Sequence, residues 1–242
     1  MSKKVLITGG AGFIGHQVIK EILEATDWDL LVIDRLSYAG DLNRINDVIS
    51  EVGEDTRSRV EFIYYDLKAT LTNQILNKLE DLNIIVHIGA SSHVTRSVED
   101  PSIFIQDNVV GTFNLLEAAR KLKNLELFYY FSTDEVFGPS DEKAKFKEWD
   151  RYNSKNPYSA TKAAGEELTI AYNNTYSIPC LISHCCNVYG KRQNSEKFIP
   201  NTIKKILQGE DVLVHTDSNN KPGSRYYIYN DDLAKSIVFL IK

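Results

Sequence analysis

The chain has 242 residues, of which 43% are hydrophobic and 25% are charged, an ordinary mixture for a globular protein. This composition excludes a disordered or fibrous chain. With 28 basic and 33 acidic residues the formal net charge is −5, so no basic footprint for a nucleic acid exists and no such partner is expected. The length predicts one large domain, or one domain with a smaller lobe.

The cysteines and the apolar segments indicate the cellular compartment of the protein. Cys180, Cys185 and Cys186 lack the spacing of a disulfide framework or a zinc ribbon, and no metal is expected. Residues 1–15 lack the pattern of a signal peptide, and no apolar run reaches the roughly 18 residues of a membrane span. These observations predict a cytoplasmic protein with no membrane partner.

Short apolar runs alternate with segments of helical periodicity along the chain. The runs that predict strands lie at 5–7, 30–33, 60–65, 84–88, 125–131 and 180–183. The periodic segments that predict helices lie at 13–23, 71–82, 102–121, 158–176, 198–207 and 231–242. Fully apolar runs suit strands buried on both faces of a parallel sheet, joined by right-handed βαβ connections. The predicted fold is therefore an open, doubly wound parallel α/β sheet of the Rossmann type.

Some local features refine this prediction. Asn230 is a plausible N-cap for the last helix. Polar stretches at 141–156 and 216–224 predict surface loops, the first of which could lie over a site. In segment 102–121, the side chains predicted to face the core are Phe104, Val109, Phe113, Leu116 and Ala119.

A glycine-rich turn follows the first predicted strand and opens the first predicted helix. Gly9, Gly12 and Gly15 have the spacing that lets a backbone approach a pyrophosphate, because glycine has no Cβ. The free N–H groups of the helix start then bind phosphate. Three glycines alone also fit a simple turn. Their position between a strand and a helix favours a dinucleotide site.

Carboxylates end the second and third predicted strands. Asp34 lies about twenty residues beyond the glycines, where a carboxylate accepts hydrogen bonds from ribose hydroxyls and repels a 2′-phosphate. This favours NAD over NADP, although the adjacent Arg35 could in principle meet a phosphate. Asp66 is predicted near the adenine, and both acids could instead be simple loop carboxylates.

Tyr158 and Lys162 lie four residues apart, on one face of a predicted helix. A nearby ammonium lowers the pKa of a phenol, so the pair can exchange protons near neutral pH. Taken alone, this pair is common and is mostly found on protein surfaces. The acid pair Asp134–Glu135 likewise fits a solvated acidic turn when taken alone.

Taken together, these residues resemble the extended short-chain dehydrogenase/reductase family. Within it, segment 132–138 resembles the signature of nucleoside-diphosphate-sugar 4,6-dehydratases, whose acid pair follows a Ser-Thr. Segments 36–40, 92–97, 108–112, 187–190, 196–200 and 225–229 also resemble this group. The resemblance covers essentially the whole chain. Ser92, Thr95 and the pair 191–192 depart from the usual pattern, so the nucleobase stays open.

The resemblance implies a hydro-lyase of deoxysugar biosynthesis that forms a 4-keto-6-deoxy sugar nucleotide with NAD. A dTDP-glucose substrate is the first choice and a UDP-sugar the second. The implied catalytic residues are Thr133, Asp134, Glu135, Tyr158 and Lys162. The implied cofactor residues are Gly9, Gly12, Phe13, Ile14, Gly15, Asp34, Asp66, Leu67, Ala90, Asn108, Ser132, Tyr158 and Lys162. The implied substrate residues are His93, Asn187, Lys197, Phe198 and Arg225.

The same resemblance implies an organisation and a partner. Residues 1–177 would form the NAD-binding domain with the catalytic residues, and 178–242 the last sheet strands with a small, incomplete C-terminal substrate lobe. A homodimer is expected, pairing helices 102–121 and 158–176 into a four-helix bundle. The alternatives are a nucleotide-sugar 4-epimerase, a dehydratase with 5-epimerase action, or a non-catalytic NAD-binding fragment.

Overall fold

The computed structural model describes residues 2–140, 145–214, 216 and 218–242. The strands are β1 (Lys4–Thr8), β2 (Asp29–Asp34), β3 (Val60–Tyr64), β4 (Ile84–His87), β5 (Leu127–Thr133), β6 (Cys180–Cys185), β7 (Asn187–Tyr189) and β8 (Tyr227–Tyr229). The helices are α1 (Gly15–Ala25), α2 (Asn43–Val52), α3 (Asn73–Leu79), α4 (Val94–Glu99), α5 (Pro101–Phe104), α6 (Gly111–Ala119), α7 (Pro157–Tyr176), α8 (Phe198–Leu207) and α9 (Asn230–Ile241). A π-helical segment covers Ile105–Val110, and 3₁₀ segments cover Glu54–Arg59 and Asp134–Phe137.

The six predicted strands form one parallel sheet in the order β3-β2-β1-β4-β5-β6. The predicted Rossmann-type sheet is therefore confirmed. The direction of winding reverses between β1 and β4, which are hydrogen-bonded neighbours. In open sheets of this kind, ligands bind beyond the carboxyl ends of the strands at this reversal. The short strands β7 and β8 pair in parallel as a separate two-stranded sheet.

Alternate side chains of the central strands enter two apolar layers. Val5 and Ile7 of β1 pack in the layer that contains residues of α1, α2 and α9. Leu6 of the same strand packs in the layer that contains residues of α3, α6 and α7. This explains why the central runs are apolar at every position, since both faces of each strand are covered. Strand β6 and helix α9, from the C-terminal segment, complete this sheet and its first layer.

The structure corrects three local predictions. The helix predicted over 102–121 is interrupted by the π-helical segment Ile105–Val110. Phe113 is 43% exposed and not in the core, whereas the predicted core residues Phe104, Leu116 and Ala119 are buried. Asn230 is the first residue of α9 and not its N-cap, because the preceding Tyr229 occupies that position.

The polar stretches are described in part. Residues 141–144 of the first stretch and residues 215 and 217 near the second lie outside the described residues. The described remainder of the first stretch leads into α7 and contacts the acidic turn through Asn153, whose N–H donates to the carbonyl of Val136 at 2.8 Å. Among the described residues, no helix combines the length and the hydropathy that crossing a membrane requires.

Candidate active site

An open cleft lies at the carboxyl ends of β1, β2, β4 and β5. It is lined by the glycine turn, by the loops after β2, β3 and β4, and by residues of β5 and α7. The predicted cofactor residues in its lining are Gly9, Gly12, Phe13, Ile14, Gly15, Asp34, Asp66, Leu67, Ala90, Ser132, Tyr158 and Lys162. Asn108 lies outside this lining: it is buried and bonds Ser91 and Thr161.

The glycine turn has no space for side chains. Gly9 has a φ of +71°, and a Cβ built there would lie 2.6 Å from the Cα of Gly89. A Cβ at Gly15 would lie 2.2 Å from the carbonyl oxygen of Gly9. The backbone therefore turns directly from β1 into α1, and the helix start faces the cleft. This is the cradle that a dinucleotide pyrophosphate requires.

Asp34 ends β2 and braces the turn that follows it. Its Oδ2 accepts the N–H of Ala11 at 3.0 Å, and its Oδ1 accepts the N–H of Leu36 at 2.8 Å. Leu36 has a left-handed backbone, with φ +51°. Arg44 holds the same region from α2 by donating to the carbonyls of Ala11 and Ala39. A carboxylate is thus fixed at the strand end where a ribose diol would bind.

Asp66 lies in the cleft between two cations. Its Oδ2 is 3.4 Å from Nη1 of Arg35 and 3.3 Å from Nζ of Lys68. Burial acts to raise the pKa of Asp66, but the backbone N–H of Lys68 and the two cations together lower it. The group is an anion at neutral pH and can accept a hydrogen bond from an adenine amine. The residues present therefore fit a dinucleotide.

The acidic turn begins where β5 ends. The Oγ1 of Thr133 accepts the N–H of Glu135 at 3.3 Å, which caps the 3₁₀ segment Asp134–Phe137. Burial raises the pKa of Asp134, although hydrogen bonding to Thr133 and the charge of Arg225 oppose this. Glu135 accepts the side-chain amide of Asn156 at 3.1 Å. The two adjacent carboxyls therefore have different surroundings, and burial favours the protonated form of Asp134.

The pKa of Tyr158 runs against the sequence prediction. Burial, and then the charges of Glu135 and Asp134, raise it above its ordinary value, while hydrogen bonding to Thr133 acts to lower it. The ammonium of Lys162 donates to the carbonyl of Phe131 at 2.7 Å. The structure thus brings Tyr158, Thr133 and the acid pair together, with the phenol protonated.

Lys162 is buried and lies 4.1 Å above the ring of Tyr130. Burial lowers its pKa to about 7, although the charge of Glu166 acts to raise it. A lysine with this pKa changes charge in the neutral range, so a small change in its surroundings decides whether it carries a proton.

A fully buried carboxylate, Glu166, organises the residues behind the site. It accepts hydrogen bonds from Ser132 and, at 2.5 Å, from the hydroxyl of Tyr152. His184 of β6 places Nε2 at 2.8 Å from the same carboxylate. Glu166 therefore joins α7, the end of β5, the loop before α7 and β6. Glu166 was not predicted from the sequence, although its position four residues after Lys162 places it on the same helix face.

Two of the predicted substrate residues lie near the mouth of the cleft. His93 caps α4, and its Nε2 lies 4.0 Å from Oε1 of Glu196. Lys197 lines the cleft, and burial lowers its pKa, with the charges of Glu196 and Glu135 opposing. Arg96 completes this edge: it pairs with Glu196 at 3.0 Å and lies 3.7 Å over the ring of Tyr38.

The other predicted substrate residues lie around the small β7–β8 sheet. Asn187 starts β7 and is paired in register with Tyr227, two residues beyond Arg225. Arg225 is exposed, yet its charge acts on Asp134. Phe198 begins α8 and is 56% exposed. None of these three lines the cleft that holds the cofactor residues.

Sequence reasoning also missed Asn156 and the pair Arg35–Asp107. Asn156 stands directly before Pro157, and an Asn followed by Pro at the first helical position is a helix-start signal that could have identified it. Arg35 donates to both carboxylate oxygens of Asp107, which no local pattern indicates because the residues are 72 positions apart.

The glycine turn, the carboxylate after β2 and the Tyr158–Lys162 pair define a Rossmann-type dinucleotide-binding enzyme. The profile of the NAD dependent epimerase/dehydratase family matches residues 5–242. The chain belongs to this NAD-dependent family, and the resemblance drawn from its motifs is confirmed.

Individual relatives are similar over nearly the whole chain. The dTDP-glucose 4,6-dehydratase of Salmonella typhimurium is 33% identical over 255 residues, covering 98% of this chain and 68% of that protein. The crystal structure of a dTDP-glucose 4,6-dehydratase from Streptomyces venezuelae with NAD bound superposes with a TM-score of 0.87. It is 31% identical, covering 98% of this chain and 71% of that one. A UDP-glucuronic acid 4-epimerase from Bacillus cereus gives a TM-score of 0.86 at 27% identity, with coverage of 99% and 73%.

Proposed function

We propose that this chain is an NAD-dependent nucleoside-diphosphate-sugar 4,6-dehydratase, with dTDP-glucose as first substrate and a UDP-sugar as second. The observation that carries the proposal is the turn of Thr133, Asp134 and Glu135 beside Tyr158. Its two carboxyls would serve as a proton donor and a proton acceptor, next to Tyr158 and Lys162, which would act on a sugar hydroxyl. The similarity to dTDP-glucose 4,6-dehydratases supports the same assignment.

Eliminating water across carbons 5 and 6 of a hexose requires an acidic proton at carbon 5, and a ketone at carbon 4 supplies that acidity. NAD, when bound, would provide the acceptor that takes the hydride from carbon 4 and later returns it to carbon 6. Tyr158 takes the proton of the 4-hydroxyl, and Thr133 hydrogen-bonds the 4-oxygen. Because burial and then the nearby carboxylates raise the pKa of Tyr158, this step needs positive charge in the cleft.

The acid pair then removes the water. Glu135 takes the proton from carbon 5, and Asp134 gives a proton to the departing 6-hydroxyl. The surroundings support this division: burial raises the pKa of Asp134, which favours a proton on that carboxyl, and the Asn156 amide donates to Glu135. After the hydride reaches carbon 6, a proton returns to carbon 5, so the net change is the loss of one water.

Substrate binding is assigned to residues near the mouth of the cleft and around the β7–β8 sheet. Arg225 and Asn187 would bind the diphosphate, because a guanidinium donates to two phosphate oxygens at once. Lys197 and Phe198 would cover the nucleobase, and His93 would face the sugar. In this division, residues 1–177 bind NAD and carry the catalytic groups, and 178–242 contribute the last strands and part of the substrate lobe.

Mass spectrometry of the products tests the activity. The purified chain is incubated with NAD and dTDP-glucose, UDP-glucose, UDP-N-acetylglucosamine or GDP-mannose. We expect the loss of one water from a single substrate, abolished in Glu135→Gln and in Asp134→Asn. Glu167→Gln, an exposed neighbour on α7, is the matched control and keeps the activity. A product that retains its water would overturn the dehydratase and favour the 4-epimerase that the Bacillus cereus structure represents.

Binding without chemistry is the remaining alternative. If NADH binds but no sugar nucleotide is consumed, the chain is a cofactor-binding fragment or its substrate lies outside the four that are tested. A dehydratase with 5-epimerase action would lose water and also invert carbon 5, which NMR of the product distinguishes. We expect neither outcome. In particular, a protein that only binds the cofactor would not need Thr133, Asp134 and Glu135 beside Tyr158.

We propose that the protein is a cytoplasmic homodimer that pairs α5 to α7 of one copy with those of a second. Exposed apolar side chains support this, among them Ile103, Phe113 and Ile170. The free cysteines at 180, 185 and 186 fit a reducing compartment. Light scattering after gel filtration measures the mass, and Phe113→Glu is expected to yield monomers. A monomeric wild type would contradict the pairing.

A further inference from the structure

The position of Arg35 affects whether the cleft binds NAD or NADP. It follows Asp34, the carboxylate at the ribose end of the cleft, and both side chains line that cleft. An arginine close to this position is the usual partner of a 2′-phosphate, because its fork of donors matches phosphate oxygens. Taken by itself, Arg35 would thus favour NADP, in opposition to Asp34.

In the structure the guanidinium of Arg35 is already bound by carboxylates. Its Nη1 lies 2.6 Å from Oδ1 of Asp107, and its Nη2 lies 2.5 Å from Oδ2 of the same residue. A third, longer contact joins Nη1 to Asp66 at 3.4 Å. The bidentate geometry is the strongest form of such a pair, and it occupies the donors that a phosphate would need.

Asp107 is itself held in place. Its Oδ2 accepts the hydroxyl of Ser91 at 2.5 Å, and its side chain is only 7% exposed. It lies in the π-helical segment Ile105–Val110, a rare geometry that is frequent at functional sites. The next residue, Asn108, exchanges two hydrogen bonds with the backbone of Ser91. Asp107 therefore cannot easily follow Arg35 toward a ligand.

We propose that Asp107 is a specificity-determining residue: it holds Arg35 away from the 2′-position of the adenosine ribose and so makes the cleft select NAD over NADP. Asp34 repels a 2′-phosphate directly, and Asp107 removes the arginine that would otherwise offset that repulsion. The assignment rests on the proposed function, because it requires a dinucleotide in this cleft.

The test measures binding and not turnover. NADH and NADPH are titrated into the purified chain, and the fluorescence of the reduced nicotinamide gives both dissociation constants. We expect the wild type to prefer NADH. Asp107→Ala should raise the affinity for NADPH relative to NADH by about tenfold, since one charge-assisted pair is released. Asp107→Asn, which keeps the size of the side chain, should shift the preference in the same direction and covers the case in which the alanine variant folds poorly.

The Arg35 variants separate this role from a general loosening of the cleft. Arg35→Ala alone should leave the NADPH-to-NADH preference within about twofold, because Arg35 is held by Asp107 in the wild type. In the Asp107→Ala background, the same substitution should abolish the gain in NADPH affinity. An unchanged preference in both Asp107 variants, with NADH binding intact, would overturn this assignment alone. Failure of the wild type to bind NADH would overturn the cofactor site and this assignment together.

Discussion

The side chain of Asn156 contacts two parts of the active site, one of which is Glu135. Its amide nitrogen donates to Oε2 of Glu135 at 3.1 Å, and its amide oxygen accepts the N–H of Ser159 at 2.8 Å. The second bond belongs to a capping box that starts α7, the helix that carries Tyr158. Asn156 therefore positions Glu135, the proposed base for the carbon 5 proton. It also fixes the start of the helix that carries Tyr158, the proposed base for the 4-hydroxyl.

Substitution of Asn156 separates these two roles. Asp caps helices as well as Asn, so Asn156→Asp should keep the stability within about 0.5 kcal/mol of the wild type. It places a second carboxylate beside Glu135, and we expect turnover to fall about tenfold or more. Asn156→Ala should lose about 1 kcal/mol of stability as well as activity. Urea unfolding and product formation measure the two effects, and normal turnover in Asn156→Asp would contradict the role at Glu135.

Lys162 predicts a pH dependence of stability. Burial lowers its pKa from 10.5 to about 7, so between these values the unfolded chain binds more protons than the folded one. Stability from this group therefore rises with pH across the window from about 7 to 10.5, with a slope approaching about 1.4 kcal/mol per pH unit. Lys162→Met removes the ionisation. Urea unfolding at several pH values measures the free energy of unfolding of both proteins. The value for the wild type minus that for the variant should grow between pH 7 and 9. A difference that does not change with pH would contradict the lowered pKa of Lys162.

Gly15→Ala tests the tight glycine turn. The added Cβ would meet the Gly9 carbonyl at 2.2 Å, and the turn must open to admit it. We expect a loss of about 1–3 kcal/mol of stability and a marked fall in NADH affinity. Gly223→Ala is the matched control, because a Cβ there has no neighbour within 4 Å. NADH titration and thermal unfolding of both variants give the answer, and similar behaviour of the two would contradict the close approach.

Glu166→Gln probes the buried carboxylate behind the site. The variant keeps the shape but weakens the charge-assisted hydrogen bonds from Ser132 and Tyr152. We expect a loss of about 1–3 kcal/mol of stability. We also expect a lower kcat with little change in KM, because Ser132 adjoins Thr133. Glu167→Gln, on the exposed face of the same helix, serves as the control and should match the wild type in both measurements.

The fold follows closely from local sequence. Apolar runs separated by helix-length segments correctly predicted all six strands of the main sheet and its parallel arrangement. Those strands are buried on both faces, so most of their residues are apolar and they can be recognised from the sequence. The prediction failed where the pattern is ambiguous. The periodicity of 102–121 does not reveal the π-helical segment, and Phe113 is apolar yet 43% exposed.

The short strands β7 and β8 went unpredicted for a related reason. Each has three residues, which is too few for a period to be visible, and the paired residues are 40 positions apart. Only the assembled chain brings Asn187 near the segment that follows Arg225. The sequence motifs named both residues, but the spatial relationship between them came from the tertiary structure.

The sequence by itself determined the parallel sheet, the glycine turn and the position of Asp34, because these depend on neighbours within a few residues or on burial. It also named the proposed catalytic set, through its resemblance to a family. The tertiary structure decided the pKa values of those side chains and the hydrogen bonds that hold them in place. The pKa of Tyr158 is raised and not lowered, since the phenol is buried and the charges of Glu135 and Asp134 oppose its ionisation. The pairings of Arg35 with Asp107 and of Glu166 with His184 arise because distant segments fold together. Electrostatic energies depend on distance and burial in space, which a linear sequence does not state.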